Sequence, residues 1–341
     1  SNKIECEPST AYELNDYFTF DVPGARFMPA YRNKFWDGKI RLFQVMTGYI
    51  YAGLNKYVEE FCKSREYELE YISDFASEEF SLKEAKEFVE KIKPTIEPRD
   101  YQLEAFVHGV RERRALLLSP TASGKSFIIY LLTRYYNART LIIVPTTSLV
   151  SQLASDFADY GFVSDRYVHR IFAGQDKQTD KPITISTWQS IYKMPKEYFR
   201  QFDVVIGDEA HLFKAKSLIS IMSKLGSCQY RFGFTGTLDG TQTNQLILEG
   251  LFGVVRKVTT TSELMEQNYI SSFLIKAIVL KYPDDVKKQI AKFNYQQEID
   301  YLVRNEARNN FIKNLALSPI KPHTSCSLTQ TFALNQKLFL V

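Results

Sequence analysis

The 341-residue sequence is poor in cysteine and has no long apolar run. Its four cysteines are scattered, without a C-x-x-C pair, which argues against a structural zinc site and for a reducing compartment. No apolar stretch approaches the ~20 residues that a membrane-spanning helix needs, and no signal peptide opens the chain. We therefore expect a cytoplasmic protein with no membrane association and no structural metal.

A strong charge excess is also missing. The chain has 43 Lys and Arg against 39 Asp and Glu, a formal net charge of +4. Such a mild basic excess permits a nucleic-acid partner but does not by itself indicate one. The length is sufficient for two or three domains of ordinary size.

The stretch with the most chemical information is Ser119–Ser126, which reads S-P-T-A-S-G-K-S. It follows an apolar run and precedes a helical pattern, the context in which a G-K-[ST] loop binds phosphates through backbone N–H groups. Lys125 would reach the β and γ phosphates, and the Ser126 hydroxyl would hold Mg²⁺. Ser119 stands where the usual pattern has Gly or Ala. The remaining loop residues expected around the phosphates are Pro120, Thr121, Ala122, Ser123 and Gly124.

A second run, Asp208-Glu209-Ala210-His211, follows a predicted buried strand. In open α/β sheets the ligand binds beyond the carboxyl ends of the strands. Asp208 would bind Mg²⁺, and Glu209 would orient or deprotonate the attacking water. An acidic pair after a strand can also be a helix cap, but the phosphate loop upstream favours ATP binding and hydrolysis.

From Arg99 onward, strand-like and helix-like runs alternate, which predicts an α/β fold with one doubly wound parallel sheet. This arrangement resembles that of RecA-like P-loop NTPase domains. Helices are predicted at Leu149–Tyr160 and Ser217–Leu225. The predicted strands are Ala115–Leu118, Leu141–Val144, Tyr167–Phe172, Ile183–Ser186, Val204–Gly207, Arg231–Phe234 and Val254–Val258.

The first 95 residues read as a small α+β accessory domain that ends near Pro94 and Pro98, since two prolines close together interrupt helix and strand alike. The full predicted division is residues 1–95, 96–260, 261–317 and an irregular tail, 318–341. Strands are predicted at Ala25–Phe27, Ile40–Gln44, Tyr49–Ala52, Glu68–Ile72 and Phe273–Leu280. Helices are predicted at Ala11–Phe18, Leu54–Tyr67, Ser81–Ile92, Glu263–Tyr269 and Lys287–Leu317.

Basic and aromatic residues are interleaved in the accessory domain. Cations can meet phosphates while aromatic rings stack on unpaired bases or wedge at a duplex end, so we favour a DNA-binding role. The alternative is that the rings build a small core and the charges are its solvated rim. The candidate DNA contacts are Arg32, Trp36, Lys39 and Arg41, beside Arg26, Phe27, Tyr31, Lys34 and Phe35.

The order of further motifs resembles the first motor domain of superfamily 2 helicases. Arg99 and Gln102, in R-D-Y-Q, match the motif that lies near the adenine, and D-E-A-H matches motif II, which adds His211 to the catalytic set. The resemblance implies backbone-binding DNA motifs and a coupling motif that links nucleotide site to DNA. The DNA motifs contribute Pro145, Thr146, Thr147, Gly174, Thr187, Trp188 and Gln189, and the coupling motif Thr235, Gly236 and Thr237. Each threonine could instead be an ordinary helix cap.

Within that superfamily the chain is most similar to the recombination helicases of T4-like phages, through W-D-G-K-I-R-L (Trp36–Leu42) and T-T-S-E-L-M-E (Thr260–Glu266). This implies an ATP-dependent helicase that acts on branched DNA and R-loops. No Q-x-x-G-R-x-x-R motif of a second motor domain occurs, so we expect residues 261–317 to begin a truncated second domain and the isolated chain to hydrolyse ATP weakly. A DNA-binding module without autonomous ATPase activity is the alternative.

Overall fold

The computed structural model describes residues 2–72, 79–172, 174, 176–271, 278–317 and 338–340. The chain divides into two compact units, Ser1–Ile270 and Ser271–Val341. The predicted further division of the first unit at residues 95 and 96 stays a prediction.

The larger unit begins with short elements arranged around small antiparallel sheets. In one sheet β5 lies between β1 and β4, and in the other β2 pairs with β3. Short 3-10 turns occupy Ala25–Phe27 and Ala52–Leu54. The elements are β1 (Asn2–Lys3), α1 (Pro8–Tyr17), β2 (Thr19–Asp21), α2 (Pro29–Arg32), β3 (Lys39–Arg41), β4 (Phe43–Gln44), β5 (Tyr49–Ile50), α3 (Asn55–Ser64) and α4 (Leu82–Ile92).

Two predictions for this region are wrong, and the predicted strand Ile40–Gln44 is divided between β3 and β4, which belong to different sheets. Ala25–Phe27 is a 3-10 turn and not a strand, because Gly24 adopts φ +75° and the Phe27 N–H donates back to the Gly24 carbonyl at 3.0 Å. The stretch Glu68–Ile72 forms no strand. All five of its side chains are exposed, Ile72 by 95%, so it has none of the half-buried face on which a strand pattern depends.

The helix predicted at Ser81–Ile92 is confirmed, with its start. The Ser81 hydroxyl accepts the Glu84 N–H, and the Glu84 carboxylate accepts the Ser81 N–H. This reciprocal pair satisfies two of the N–H groups that a helix start leaves free.

The centre of the larger unit is a seven-stranded parallel sheet with the order β12-β6-β11-β10-β7-β9-β8. All seven predicted strands are present, and the α/β prediction is confirmed. The elements are α5 (Asp100–Glu112), β6 (Arg114–Leu118), α6 (Lys125–Tyr136), β7 (Thr140–Val144), α7 (Thr147–Asp159), α8 (Ser164–Tyr167), β8 (Val168–Ile171), β9 (Ile183–Thr187), α9 (Trp188–Ile191), α10 (Lys196–Phe199), β10 (Val204–Asp208), α11 (Lys216–Lys224), β11 (Tyr230–Thr235), α12 (Gln242–Phe252), β12 (Val255–Lys257) and α13 (Thr261–Glu266).

Both faces of this sheet are buried. Along β6, Ala115 and Leu117 pack into one apolar cluster with α5, α6 and α7, while Leu116 packs into another with α11 and α12. Successive side chains of a strand point to opposite faces. This explains why the strands read as continuous apolar runs without polar alternation.

Residues 1–95, which we call the accessory region, contribute to the cluster that contains Leu116. Leu14, Phe43 and Phe61 lie in the same buried cluster as Leu251 of α12. The backbones approach closely at this junction, because a Cβ on Gly53 would lie only 1.9 Å from the Glu249 carbonyl oxygen. The accessory region is therefore packed directly on α12.

Two glycines let α12 approach the sheet. Gly207 of β10 and Gly233 of β11 are register partners. A Cβ on Gly207 would lie 2.7 Å from the Phe213 ring and 2.8 Å from the Phe252 ring, and a Cβ on Gly233 would lie 2.9 Å from the Phe252 ring. The two aromatic rings occupy the space that side chains would take.

The second unit contains β13 (Ile278–Leu280), α14 (Asp284–Ile290), α15 (Tyr295–Arg304), α16 (Glu306–Leu317) and β14 (Leu338–Leu340), with β13 antiparallel to β14. The stretch Lys287–Leu317, predicted as one helical region, is divided among three helices. Of the predicted strand Phe273–Leu280, residues 273–277 lie outside the described residues, as do 318–337 of the predicted tail.

Candidate nucleotide and nucleic-acid sites

The loop between β6 and α6 is held by its own hydroxyl groups. Ser119 is fully buried, and its Oγ lies 2.6 Å from the Ser123 Oγ. The Ser123 hydroxyl donates to the Pro120 carbonyl at 2.7 Å, and the Ser119 N–H donates to the Thr235 carbonyl at 2.8 Å. Ser119 therefore braces the loop from a position where the usual pattern has a smaller residue.

The loop turns through left-handed backbone at Ala122 (φ +65°) and Gly124 (φ +76°). A Cβ at Gly124 would lie 2.4 Å from the Gln102 amide nitrogen, so glycine is needed there for space as well as conformation,. Thr121 and Ala122 are exposed at the tip. Backbone N–H groups at the start of the 12-residue α6 can therefore receive an anion, with the helix dipole in favour.

Lys125 meets the carboxylates of the second motif. Its Nζ lies 3.1 Å from Glu209 Oε1 and 3.9 Å from Asp208 Oδ1, and its side chain is 16% exposed. Burial raises the pKa of Asp208, which the Lys125 charge and the Glu209 N–H oppose. The structure thus brings together residues that are more than 80 positions apart in sequence.

His211 links this cluster to the predicted coupling motif, Thr235–Thr237. Its Nδ1 lies 3.2 Å from Glu209 Oε2 and 3.0 Å from the Thr235 hydroxyl. The Thr235 hydroxyl donates to the Thr237 carbonyl at 2.9 Å. Gly236 lies beside the phosphate loop, where an added Cβ would be 3.7 Å from the Ser119 carbonyl.

The oxygen groups near the loop suit a magnesium ion. Mg²⁺ takes few protein ligands and prefers carboxylate, hydroxyl and phosphate oxygens. The groups that would hold it are Asp208 and Ser126. Burial disfavours the ionised form of Asp208, and a cation would stabilise that form. The Ser126 hydroxyl forms a 2.7 Å hydrogen bond with the Tyr160 hydroxyl, a partner from the end of α7 that no sequence motif indicates.

Gln102, predicted to lie near the adenine, is 4% exposed, and both its amide oxygen and its amide nitrogen form hydrogen bonds with backbone groups. Its Oε1 accepts the Arg99 N–H at 2.9 Å, and its Nε2 donates to the Ser123 carbonyl at 3.0 Å. Gln102 therefore joins the start of α5 to the phosphate loop. The Arg99 guanidinium lies over the Tyr269 ring, 4.2 Å from its centroid. Nothing in the motif pattern indicates Tyr269.

The candidate backbone-binding residues follow neighbouring strands. Pro145, Thr146 and Thr147 follow β7, Thr187 to Gln189 close or follow β9, and Gly174 follows β8, so all lie at the carboxyl edge of the sheet. Residues 173 and 175 of the Gly174 loop lie outside the described residues.

These residues differ in how exposed they are and in the hydrogen bonds that they already form. Thr146 is exposed and caps α7, its hydroxyl accepting the Leu149 N–H at 3.4 Å. Thr187 is 4% exposed, with its hydroxyl 2.9 Å from the Ser190 hydroxyl. Trp188 is half-buried against the apolar core. Gln189 and Gly174 are exposed. The capping alternative therefore holds geometrically for Thr146.

In the accessory region, basic and aromatic side chains surround a cavity of about 700 Å³ that we call the basic-aromatic pocket. Phe35 is 86% exposed there, and the Trp36 indole N–H donates to the Lys39 carbonyl at 2.8 Å. Arg41 and Lys39 are not among the lining residues; Arg41 pairs with the lining residue Asp37 at 2.5 Å, and Lys39 lies 4.0 Å from Asp21. The pocket is lined by Arg26, Tyr31, Arg32, Lys34, Phe35, Trp36 and Asp37.

Two properties hold for the part of the chain that the structure describes. None of its helices combines the length and apolarity required to cross a bilayer. None of its His, Cys, Asp and Glu side chains form a group of three or more placed to hold a metal.

Comparison with known proteins gives matches over both regions of the larger unit. Residues 1–72 match the model of the family "DNA helicase UvsW, N-terminal", and residues 86–240 match "Type III restriction enzyme, res subunit". The chain is 38% identical over 329 residues to the ATP-dependent DNA helicase uvsW of Enterobacteria phage T4, covering 92% of this chain and 65% of that protein. It is 30% identical over 198 residues to the DNA 3'-5' translocase XPB2 of Sulfurisphaera tokodaii, covering 58% of this chain and 44% of that protein.

Solved structures agree. A crystal structure of the UvsW helicase from bacteriophage T4 is 38% identical, with a TM-score of 0.69, and the match covers 75% of this chain and 95% of that one. A second T4 UvsW structure is 36% identical with a TM-score of 0.70, over 92% of this chain and 64% of that one. The chain thus spans less than two thirds of the curated relatives it matches.

Proposed function

Because the chain belongs to the UvsW family of superfamily 2 helicases, we propose that it carries the accessory domain and first motor domain of an ATP-dependent DNA helicase. The observation that carries the proposal is the convergence of Lys125 of the phosphate loop with Asp208 and Glu209. We assign residues 1–95 to the accessory domain, 96–260 to the motor domain and 261–317 to the start of a second motor domain, followed by the tail 318–341.

We infer the following roles at the nucleotide site. The phosphate loop binds the triphosphate through its backbone, and Lys125 neutralises the terminal phosphates. Ser126 and Asp208 would hold Mg²⁺, which when bound would neutralise charge that develops on the phosphate oxygens. Glu209, held next to Lys125 and His211, orients the attacking water and accepts its proton.

The chain of contacts from Glu209 through His211 to Thr235 supports a coupling role for Thr235–Thr237. His211 contacts both the catalytic carboxylate and the Thr235 hydroxyl. A movement of the Glu209 carboxylate during hydrolysis would displace His211 and, through the Thr235 hydroxyl, the loop after β11. That loop lies at the same sheet edge as the DNA-binding candidates.

For the nucleic acid, we propose DNA contacts at two places. Pro145–Thr147, Gly174 and Thr187–Gln189 would hold the backbone without reading sequence. Around the basic-aromatic pocket, DNA would be contacted by Arg32, Trp36, Lys39 and Arg41. Phe35 and Trp36 can stack there on unpaired bases. A surface that offers both cations and exposed rings suits DNA with branch points or unpaired bases, and we propose roles on forks, junctions and R-loops in recombination, repair and replication.

The test is steady-state ATP hydrolysis by the 341-residue chain with and without forked DNA, for the wild type, Glu209→Gln and Lys125→Ala. We expect Glu209→Gln to bind ATP but lose turnover by roughly 10²–10⁴-fold, the usual contribution of a general base. Lys125→Ala should lose ATP binding and keep fork binding. Equal turnover in wild type and Glu209→Gln would refute the assignment of Glu209.

A second candidate is a DNA-binding module with little ATPase activity of its own. It is favoured by the absence of a Q-x-x-G-R-x-x-R motif from residues 1–341, since an arginine finger contributes about 10³–10⁵ in rate in comparable phosphoryl transfer. Background turnover together with tight fork binding supports this candidate. Strong stimulation by DNA supports the first.

A further inference from the structure

The base-binding side of the nucleotide site contains an aromatic residue from outside every helicase motif. Tyr269 follows α13, more than 160 residues after Arg99 in the sequence. Its ring lies under the Arg99 guanidinium, with 4.2 Å between the guanidinium carbon and the ring centroid. The Tyr101 ring stands edge-on to the same ring, with centroids 6.1 Å apart.

This group is joined to the phosphate loop. The Arg99 guanidinium donates to the Tyr101 hydroxyl at 2.7 Å, and the Tyr101 hydroxyl donates to the Ser123 carbonyl at 2.9 Å. Arg99 is therefore one side chain away from the backbone that receives the phosphates. A nucleotide bound there would carry its base into the neighbourhood of Arg99.

Gln102 is already engaged at the same place. Its carbonyl oxygen accepts the Arg99 N–H, and its amide nitrogen donates to the Ser123 carbonyl. Both ends of this buried amide therefore hold backbone groups in place, and the neighbouring side chain that stacks on a ring is Arg99. A guanidinium is planar and stacks well on aromatic rings by either face.

The helicase resemblance already implies that Arg99 lies near the base. We propose that Tyr269 is the positioning residue that holds the Arg99 guanidinium flat against one face, so that the base of the nucleoside triphosphate can stack on the other face,. The proposal rests on the proposed function of the site. Tyr269 is 43% exposed, so its removal opens no cavity in the core.

The experiment compares two ligands by calorimetry at fixed Mg²⁺: a non-hydrolysable ATP analogue, and inorganic tripolyphosphate, which has no base. We expect Tyr269→Ala to weaken binding of the ATP analogue on the order of 3- to 10-fold, the loss of one cation–π contact. Its affinity for tripolyphosphate should stay unchanged. Tyr269→Phe keeps the ring and should restore wild-type affinity for the ATP analogue.

Tyr12→Ala is the matched control, because Tyr12 is a 64% exposed tyrosine on α1 and should change neither affinity. Arg99→Ala should show the same selective loss, and the Tyr269→Ala/Arg99→Ala double variant should lose no more than Arg99→Ala alone. Equal weakening of both ligands in Tyr269→Ala would overturn the proposal, since Tyr269 would then act on the phosphate loop. Unchanged affinities would also overturn it. A wild type that binds neither ligand would instead refute the nucleotide site itself.

Discussion

A single methyl group at Gly53 should destabilise the protein where the accessory region packs on α12. Its Cβ would lie 1.9 Å from the Glu249 carbonyl oxygen and 2.9 Å from that of Gly250. Both are backbone atoms of a buried helix and cannot rotate away. To reach an ordinary contact of 3.4 Å, the two segments must separate by about 1.5 Å.

The cost follows from two effects. Overpacking of a close junction usually costs about 1–3 kcal/mol. The same displacement stretches the 2.6 Å hydrogen bond from Tyr57 to the Glu249 carboxylate, and a lost hydrogen bond adds roughly 1 kcal/mol. We expect Gly53→Ala to lower the free energy of unfolding by roughly 2–4 kcal/mol, which corresponds to a fall in Tm of about 3–7 °C for a unit of this size,.

Thermal and urea unfolding of Gly53→Ala and Gly226→Ala would measure this. Gly226 is the matched control, because a Cβ there would meet no heavy atom within 4 Å and its φ is not in the left-handed region. Its substitution should change stability by less than about 1 kcal/mol. If both variants unfold together at the wild-type midpoint, the junction is not close-packed and the reasoning fails.

Three further outcomes are expected. Tyr57→Phe should cost about 1–3 kcal/mol in urea unfolding, because it leaves Glu249 Oε2 without its 2.6 Å donor in the buried junction,; a neutral result would show that the carboxylate finds another donor. Burial and three nearby cations lower the pKa of His108 to about 4, so the folded state binds fewer protons than the unfolded state and stability is lost as pH falls from about 6.5 to 4. His108→Gln should flatten that part of the stability–pH curve, and parallel curves would contradict the assignment. Gly124→Ala should reduce ATP affinity at least about tenfold, because its Cβ would lie 2.4 Å from the Gln102 amide nitrogen; calorimetric affinity equal to the wild type would show that the loop adapts.

Much of the motor fold could be predicted from the sequence, because the information is local. A parallel sheet buried on both faces requires continuous apolar runs, and all seven were recognisable. The phosphate loop and D-E-A-H can also be recognised from the sequence, because their residues are close together in the chain. Since each follows a strand of one parallel sheet, their meeting at one edge could be expected, as the 3.1 Å contact of Lys125 with Glu209 now shows.

What could not be predicted depends on distant or very local geometry. The partnerships of Ser126 with Tyr160 and of Arg99 with Tyr269 join positions that no pattern connects. The turn at Ala25–Phe27 is decided by left-handed backbone at Gly24, which overrides the side-chain pattern. The engagement of Gln102 with backbone is likewise a product of packing, since its side chain could equally have faced a base.

The paired glycines of β10 and β11 have a consequence for engineering. Phe213 and Phe252 lie where side chains at Gly207 and Gly233 would be. The distance between α12 and the sheet is therefore determined by these two glycines. The same helix presents Glu249 and Gly250 to the accessory region at Gly53 and Tyr51. To transfer this accessory region to another motor domain, one would therefore also have to transfer α12 and the glycines at positions 207 and 233. The transferable part is not continuous in sequence.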